Sequence, residues 1–130
     1  MPFHPTLITL LTCAFLWGLA FSVGRARHKF GVTPPETRGD PRFEAVFRTQ
    51  QNTIESTVMF LPLLWILYGQ GQGIAAAVLG WSWLLARVFY ALGYTSSAPS
   101  RRLIPFVVSV LCIMISFLLG LWSLWQGNAA

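Results

Sequence analysis

Arg42-Phe43-Glu44-Ala45-Val46-Phe47-Arg48-Thr49-Gln50-Gln51-Asn52-Thr53-Ile54-Glu55 is the stretch on which the reading of this chain turns. It opens a helix that continues through the apolar run at 58–67. At about 100° per residue, Glu44, Arg48, Gln51, Asn52 and Glu55 share one stripe. A polar face thus enters a segment that is otherwise greasy. In a bilayer-spanning helix each charge costs roughly 2.5–3.5 kcal/mol at the centre and less toward the ends. A partner charge, a ligand or enclosed water normally offsets a cost of that size.

The rest of the sequence is that of a membrane protein. Of its 130 residues, 55% are hydrophobic and 10% charged, too apolar for a soluble domain of this length. The length allows one domain, residues 1–130. The net charge of +5 is clustered. Arg25, Arg27, Lys29, Arg38 and Arg42 lie in one stretch and Arg101 and Arg102 in another, while Arg48 and Arg87 fall within helices. Polar surface is too scarce for a groove-reading module, so nucleic acid is not an expected partner. The basic clusters read instead as cytoplasmic loops, where Lys and Arg collect. Cys13 and Cys112 sit in apolar runs and read as packing residues, not a disulfide framework. His4 and His28 are isolated, with no paired Cys/His spacing, so no metal is expected.

The first apolar run, residues 7–23, spans a bilayer with its flanks, which takes about 20 residues. Its positive charges follow it, whereas a signal peptide carries them in front, so the reading is an uncleaved helix. Residues 31–41, dense in Pro and Gly, form a loop. The second helix runs from Arg42 to Tyr68, with a kink expected at Pro62. Residues 69–73 form an uncharged turn on the outer side. The third helix covers residues 74–94. Ala76 and Gly80, like Gly73 and Ala77, are four apart, which suits close helix packing. Its Trp83, Arg87, Tyr90 and Tyr94 share a stripe. After a turn at 95–100, the fourth helix covers 103–125 with Pro105 in its first turn, followed by a short tail at 126–130. The expected architecture is all-α: an integral membrane four-helix bundle running up-down-up-down. All four helices span, both termini lie on the outer side, and the basic loops are cytoplasmic.

In that topology Arg48, Asn52 and Glu55 lie at the depth of Arg87, Tyr90 and Tyr94, with Arg101 just beyond. Arg27, His28 and Lys29 reach the same face from the first helix. The expectation is a pocket of basic groups around one buried carboxylate, Glu55, suited to a small anion that also carries an amine. A purely structural arrangement fits the same periodicity. Glu55 then pairs with Arg48 or Arg87 to set helix register, and Arg101 and Arg102 are topology charges. Tyr90 and Tyr94 become interfacial anchors, and Trp17, Trp65, Trp81, Trp122 and Trp125 face lipid or form belts.

The segment from Phe43 to Glu55 resembles the signature of the MAPEG family, the membrane-associated proteins of eicosanoid and glutathione metabolism. So do Val32-Thr33-Pro34-Pro35 before it and Ala86-Arg87-Val88-Phe89-Tyr90-Ala91-Leu92-Gly93-Tyr94, followed by Arg101, after it. The three motifs fall in order at the family's distances. The resemblance implies a homotrimer with glutathione, as co-substrate, bound between subunits at the cytoplasmic side. Arg48, Asn52, Glu55, Tyr90 and Tyr94 would hold it from one subunit, Arg27 and Gln50 would reach it from the neighbour, and Arg87 would support the site. Arg101 matches the arginine that stabilises the glutathione thiolate in the family's transferases.

The residue types suit that ligand. Arginines bind its two carboxylates in bidentate fashion, and Glu55 its ammonium. A thiol with a pKa of about 8.5 is mostly protonated at neutral pH, and a neighbouring cation raises its thiolate fraction. The implied function is a membrane glutathione transferase, or peroxidase, acting on a lipophilic electrophile or lipid hydroperoxide drawn from membrane lipids. Three positions depart from the eicosanoid enzymes: Ser56 stands for a tyrosine, Val58 for a proline and His28 for an arginine. The alternative is a non-catalytic, lipid-binding or scaffold member of the same fold. A small proton-coupled exporter fits poorly, because the first helix carries no Asp or Glu.

Overall fold

The computed structural model describes residues 2–94 and 99–129 of the chain. Four helices carry the structure: α1 (Phe3–Phe30), α2 (Pro41–Gly69), α3 (Gly73–Tyr94) and α4 (Leu103–Ala129). A short 3-10 turn, Pro99–Arg102, leads into α4. Of the expected turn at 95–100, residues 95–98 lie outside the described residues.

The ends of the helices follow from local chemistry. α1 runs past the apolar stretch to Phe30, carrying Arg27, His28 and Lys29 in its last turn. Cations there face the negative end of the helix dipole. Gly31 ends the helix at φ 66°, a left-handed conformation that glycine adopts without strain. Its N–H and that of Val32 both donate to the Arg27 carbonyl. Val32 then folds back into a small core with Val23, Ala26 and Phe43.

α2 is capped by Asp40, whose Oδ1 accepts from the Arg42 backbone N–H at 2.9 Å, with Pro41 in the first turn. The Arg42 guanidinium also donates to both Asp40 oxygens, at 3.0 and 2.8 Å. These bonds hold the Asp40 carboxyl at about 2, well below the usual carboxylate range. At the far end, Gln70 and Gln72 donate to the Gly120 and Leu119 carbonyls, clipping the α2–α3 turn to α4. α4 continues to Ala129, so the short tail expected after residue 125 is helical for all its described residues.

Contacts between helices fix the direction of each. Trp65 of α2 donates to Thr9 of α1, while Arg27 of α1 lies over Phe43 of α2, so the pair is antiparallel. Trp83 of α3 stacks on Phe60 and donates to Ser56 of α2, and Arg87 of α3 reaches Asn52. Tyr90 of α3 meets Phe106 and Arg87 meets Ser109, both of α4. The bundle is therefore up-down-up-down. α2 and α3 lie between α1 and α4, which do not meet among the described residues. The main core gathers Ile8, Phe60, Leu64, Leu67, Ala76 and Trp83 from the first three helices and Cys112 from α4. Gly80 faces this core, where a Cβ would stand 2.6 Å from Ile8 Cδ1 and 3.0 Å from Leu64 Cδ1.

Three helical segments, Phe3–Phe30, Gly73–Tyr94 and Ser100–Asn128, are long and apolar enough to cross a membrane. With the large apolar side chains left exposed on α1 and α4, they make this an integral, multi-pass membrane protein. The fourth expected span, α2, has the length, 29 residues or about 43 Å. Its polar stripe keeps it out of the apolar set.

Candidate functional site

The polar groups meet where α2, α3 and the start of α4 converge. Arg87 is 1% exposed in the middle of this junction. Its Nη2 donates to Asn52 Oδ1 and to Thr53 Oγ1, each at 2.9 Å, and its Nη1 to Ser109 Oγ at 3.3 Å. The guanidinium also lies 4.1 Å from the centre of the Tyr90 ring. Its Nε is buried without a hydrogen-bond partner among the described residues. One arginine thus joins three helices and orients two of the expected ligand-binding residues, Asn52 and Tyr90.

Outward from Arg87 the aromatics continue toward the helix end. The Tyr90 and Tyr94 ring centres are 5.5 Å apart, and Arg102 covers Tyr94 at 4.3 Å. A cavity of about 550 Å³ opens here, bounded by Tyr90, Tyr94, Ser100, Arg102, Leu103 and Phe106. Arg101 is exposed on the 3-10 turn beside it. Its backbone is seated on α3: a Cβ on Gly93 would stand 2.9 Å from the Arg101 carbonyl carbon.

The rest of the expected set is placed differently. Glu55 is exposed, and among the described residues it forms no ion pair, so the single chain has no buried carboxylate here. Neither alternative pairing, with Arg48 or with Arg87, is present. Arg87 faces Asn52 and Thr53, while Arg48 and Glu55 lie on the outward stripe with Gln51. Gln50 is half-buried on the same helix. Arg27 donates to the Glu36 carbonyl at 2.6 Å and lies 5.0 Å from the Phe43 ring centre, which ties the loop to the start of α2. Ser56, the departure from tyrosine, is buried and accepts from the Trp83 indole at 3.0 Å. Its position faces the interior of this chain.

The sequence reading missed Thr53, Ser109 and Gly93 as parts of this junction. Ser109 had a signal: of the three serines in the largely apolar α4, it is the one level with Arg87 in an antiparallel bundle. Trp65 and Trp81 were read as lipid-facing or belt residues. Both donate to α1, to Thr9 Oγ1 at 3.1 Å and to His4 Nδ1 at 3.2 Å. Trp17, Trp122 and Trp125 are exposed as expected. Among the described residues no three His, Cys, Asp or Glu side chains gather as metal ligands.

A bundle of apolar helices with a charged, tyrosine-lined junction at one end places this chain in a class of integral, multi-pass membrane proteins. The profile of the MAPEG family matches residues 5–122. An uncharacterized protein of Synechocystis is 44% identical over 123 residues, covering 94% of this chain and 89% of the relative. Human microsomal glutathione S-transferase 2 is 39% identical over 101 residues, 78% of this chain and 68% of that protein. Bovine leukotriene C4 synthase is 39% identical over 105 residues, 78% of this chain and 67% of that protein. The chain belongs to the MAPEG family.

Proposed function

We propose that this protein is a membrane glutathione transferase that holds glutathione as its thiolate for attack by the sulfur on lipophilic electrophiles. The observation that carries the reading is the outward stripe of Arg48, Gln51 and Glu55 on α2, beside the Arg87–Asn52 junction. Left against hydrocarbon, each of those charges would cost roughly 2.5–3.5 kcal/mol at mid-depth. A second copy of the chain, with a zwitterionic ligand between the two, removes that cost. This supports an oligomer with glutathione at the subunit boundary, which the resemblance to the family implies is a homotrimer. Its basic loops are cytoplasmic and both termini lie on the outer side.

In this arrangement Arg48, Asn52, Glu55, Tyr90 and Tyr94 hold glutathione from one subunit, and Arg27 and Gln50 reach it from the neighbour. Arg87 positions Asn52 and Tyr90. Glu55 takes the ammonium and the arginines take carboxylates, with geometry that a guanidinium fork matches. Arg101, on its turn at the cavity mouth, places a permanent cation beside the sulfur. It stays protonated and so stabilises the thiolate without acting as a base. The apolar co-substrate arrives through the bilayer, where it is already concentrated. If the electrophile is the O–O bond of a lipid hydroperoxide, the co-substrate changes but the nucleophile does not.

The test is glutathione titration of the detergent-solubilised protein, followed by the thiolate absorbance near 240 nm (roughly) and by conjugation to a hydrophobic electrophile. Arg101→Ala is expected to keep glutathione binding, lose the absorbance and slow turnover on the order of 10²-fold. Unchanged turnover removes Arg101 from the mechanism. A protein that binds no glutathione sinks the transferase reading and favours the lipid-binding scaffold.

A further inference from the structure

Two polar rungs cross the α2–α3 seam one helical turn apart. One joins Asn52 and Thr53 to Arg87. The other joins Ser56 to Trp83, whose indole Nε1 donates to Ser56 Oγ at 3.0 Å. Trp83 is fully buried, and its ring lies on Phe60 with centres 4.5 Å apart and planes 15° from parallel. That stack fixes the ring, and the ring's only donor then has a fixed aim. Ser56 is buried as well. A single rung would leave α2 free to roll about one contact. Two rungs, four residues apart on both helices, hold its rotation against α3.

Glu55 precedes Ser56 and is exposed. Successive helical positions lie about 100° apart, so a Ser56 held inward holds Glu55 outward. Farther along, Pro62 interrupts α2. Its nitrogen carries no hydrogen, so the usual bond to the Val58 carbonyl is not made. The helix is therefore least stiff just beyond Glu55, and the Ser56–Trp83 rung stands between that weak point and the carboxylate.

We infer that Ser56 and Trp83 are positioning residues for Glu55, and that through it they set the site's preference for a thiol peptide carrying an α-ammonium group. The inference rests on the glutathione reading above and names the part of the ligand that this rung governs. Arg48 and Asn52 lie at or before the Arg87 rung, which stays intact when the Ser56–Trp83 bond is lost. Loss of that bond therefore loosens the ammonium contact and spares the carboxylate contacts.

The experiment titrates the purified full chain with glutathione and with its analogue lacking the α-amino group, γ-glutaryl-cysteinyl-glycine. Ser56→Ala deletes the acceptor, and Trp83→Phe deletes the donor while keeping a ring on Phe60. Each is expected to weaken glutathione binding about tenfold, the order of one lost hydrogen bond to a charged group. The KM for glutathione is expected to rise with it and kcat to stay unchanged. Binding of the analogue is expected to be the same in the wild type and both variants. The double variant is expected to match either single one, because the two residues share one bond. A second measurement is made on the wild type: the indole N–H resonance that moves in Ser56→Ala marks Trp83. Coupling between two sites is reciprocal, so glutathione is expected to shift that resonance and the analogue to leave it in place. Equal weakening of both ligands overturns the inference and assigns the rung to the general stability of the seam. Unchanged glutathione binding in the variants overturns it too, while leaving the transferase reading intact. A wild type that binds glutathione no better than the analogue shows that Glu55 does not hold the ammonium, and one that binds neither ends the glutathione reading itself; both outcomes overturn the inference.

Discussion

Arg87 Nη2 donates to Asn52 Oδ1 at 2.9 Å, across the α2–α3 seam and at the level of the polar stripe. The same nitrogen serves Thr53, and Nη1 serves Ser109 on α4. A buried cation of this kind is costly to remove, because each partner is left with an unmade bond. Arg87→Ala is expected to lower stability by about 2–3 kcal/mol, the range for losing hydrogen bonds to a charged group. Arg87→Lys, which keeps the charge but loses the fork, is expected to recover part of this and leave Asn52 misoriented. Thermal unfolding in detergent separates the two variants. Equal stability of Arg87→Ala and wild type would show that the junction contributes nothing net.

Gly93 makes a different kind of contact, with backbone. A Cβ there would stand 2.9 Å from the Arg101 carbonyl carbon and 3.0 Å from the Arg102 nitrogen. Main-chain atoms cannot rotate aside as a side-chain tip does, so the turn carrying Arg101 must shift. For a cation aimed at one sulfur, a displacement approaching 1 Å costs on the order of 10²-fold in rate. Gly93→Ala is expected to lower kcat with little change in the KM for glutathione. An unchanged kcat would mean that the turn tolerates the shift or that Arg101 does not act there.

Much of this architecture was legible in the sequence, because apolar runs interrupted by Pro and Gly mark helices without tertiary information. The end of α1 was less legible: Arg25, Arg27 and Lys29 end the hydrophobic run but are good helix formers, and the helix continues through them to Gly31. The direction in which Glu55 faces was not legible, for a reason that is general. Periodicity states which residues share a face, and of the expected stripe Glu44, Arg48, Gln51 and Glu55 keep together, while Asn52 at its edge turns to Arg87. It does not state which way that face looks, and in the single chain the stripe looks outward while Thr49, Thr53, Ser56 and Phe60 look in. The contact of Gly93 with Arg101 joins two chain segments and has no local signature.

Asp40 gives the structure a pH dependence of known sign. Its folded pKa, about 2, lies below the ordinary value of 3.8. The carboxylate therefore stabilises the folded state above 3.8, and the contribution fades as pH falls from there through about 2. Asp40→Asn keeps a side chain able to cap α2 but removes the charge that Arg42 grips. The wild type is expected to unfold at a higher temperature than Asp40→Asn near neutral pH, and the difference is expected to shrink as pH falls from 3.8 through about 2. A difference that persists there would assign the effect to cap geometry and not to charge.

Gly80 offers the sharpest test of how the first three helices are held. A Cβ at this position would stand 2.6 Å from Ile8 Cδ1 and 3.0 Å from Leu64 Cδ1. Both are ends of flexible side chains, but both residues are fully buried, which limits where those ends can go. Gly80→Ala is therefore expected to overpack the seam and cost about 1–3 kcal/mol. That cost more than offsets the gain in helix propensity from replacing glycine, about 1 kcal/mol. Ile8→Val deletes the clashing Cδ1 and by itself costs about 0.5–1.5 kcal/mol. Combined with Gly80→Ala, the deleted methyl and the added one occupy overlapping space, so the double variant is expected to be more stable than Gly80→Ala alone. Thermal unfolding of the four proteins completes the cycle. Strict additivity would mean that Ile8 and Gly80 do not share the space that their geometry assigns them.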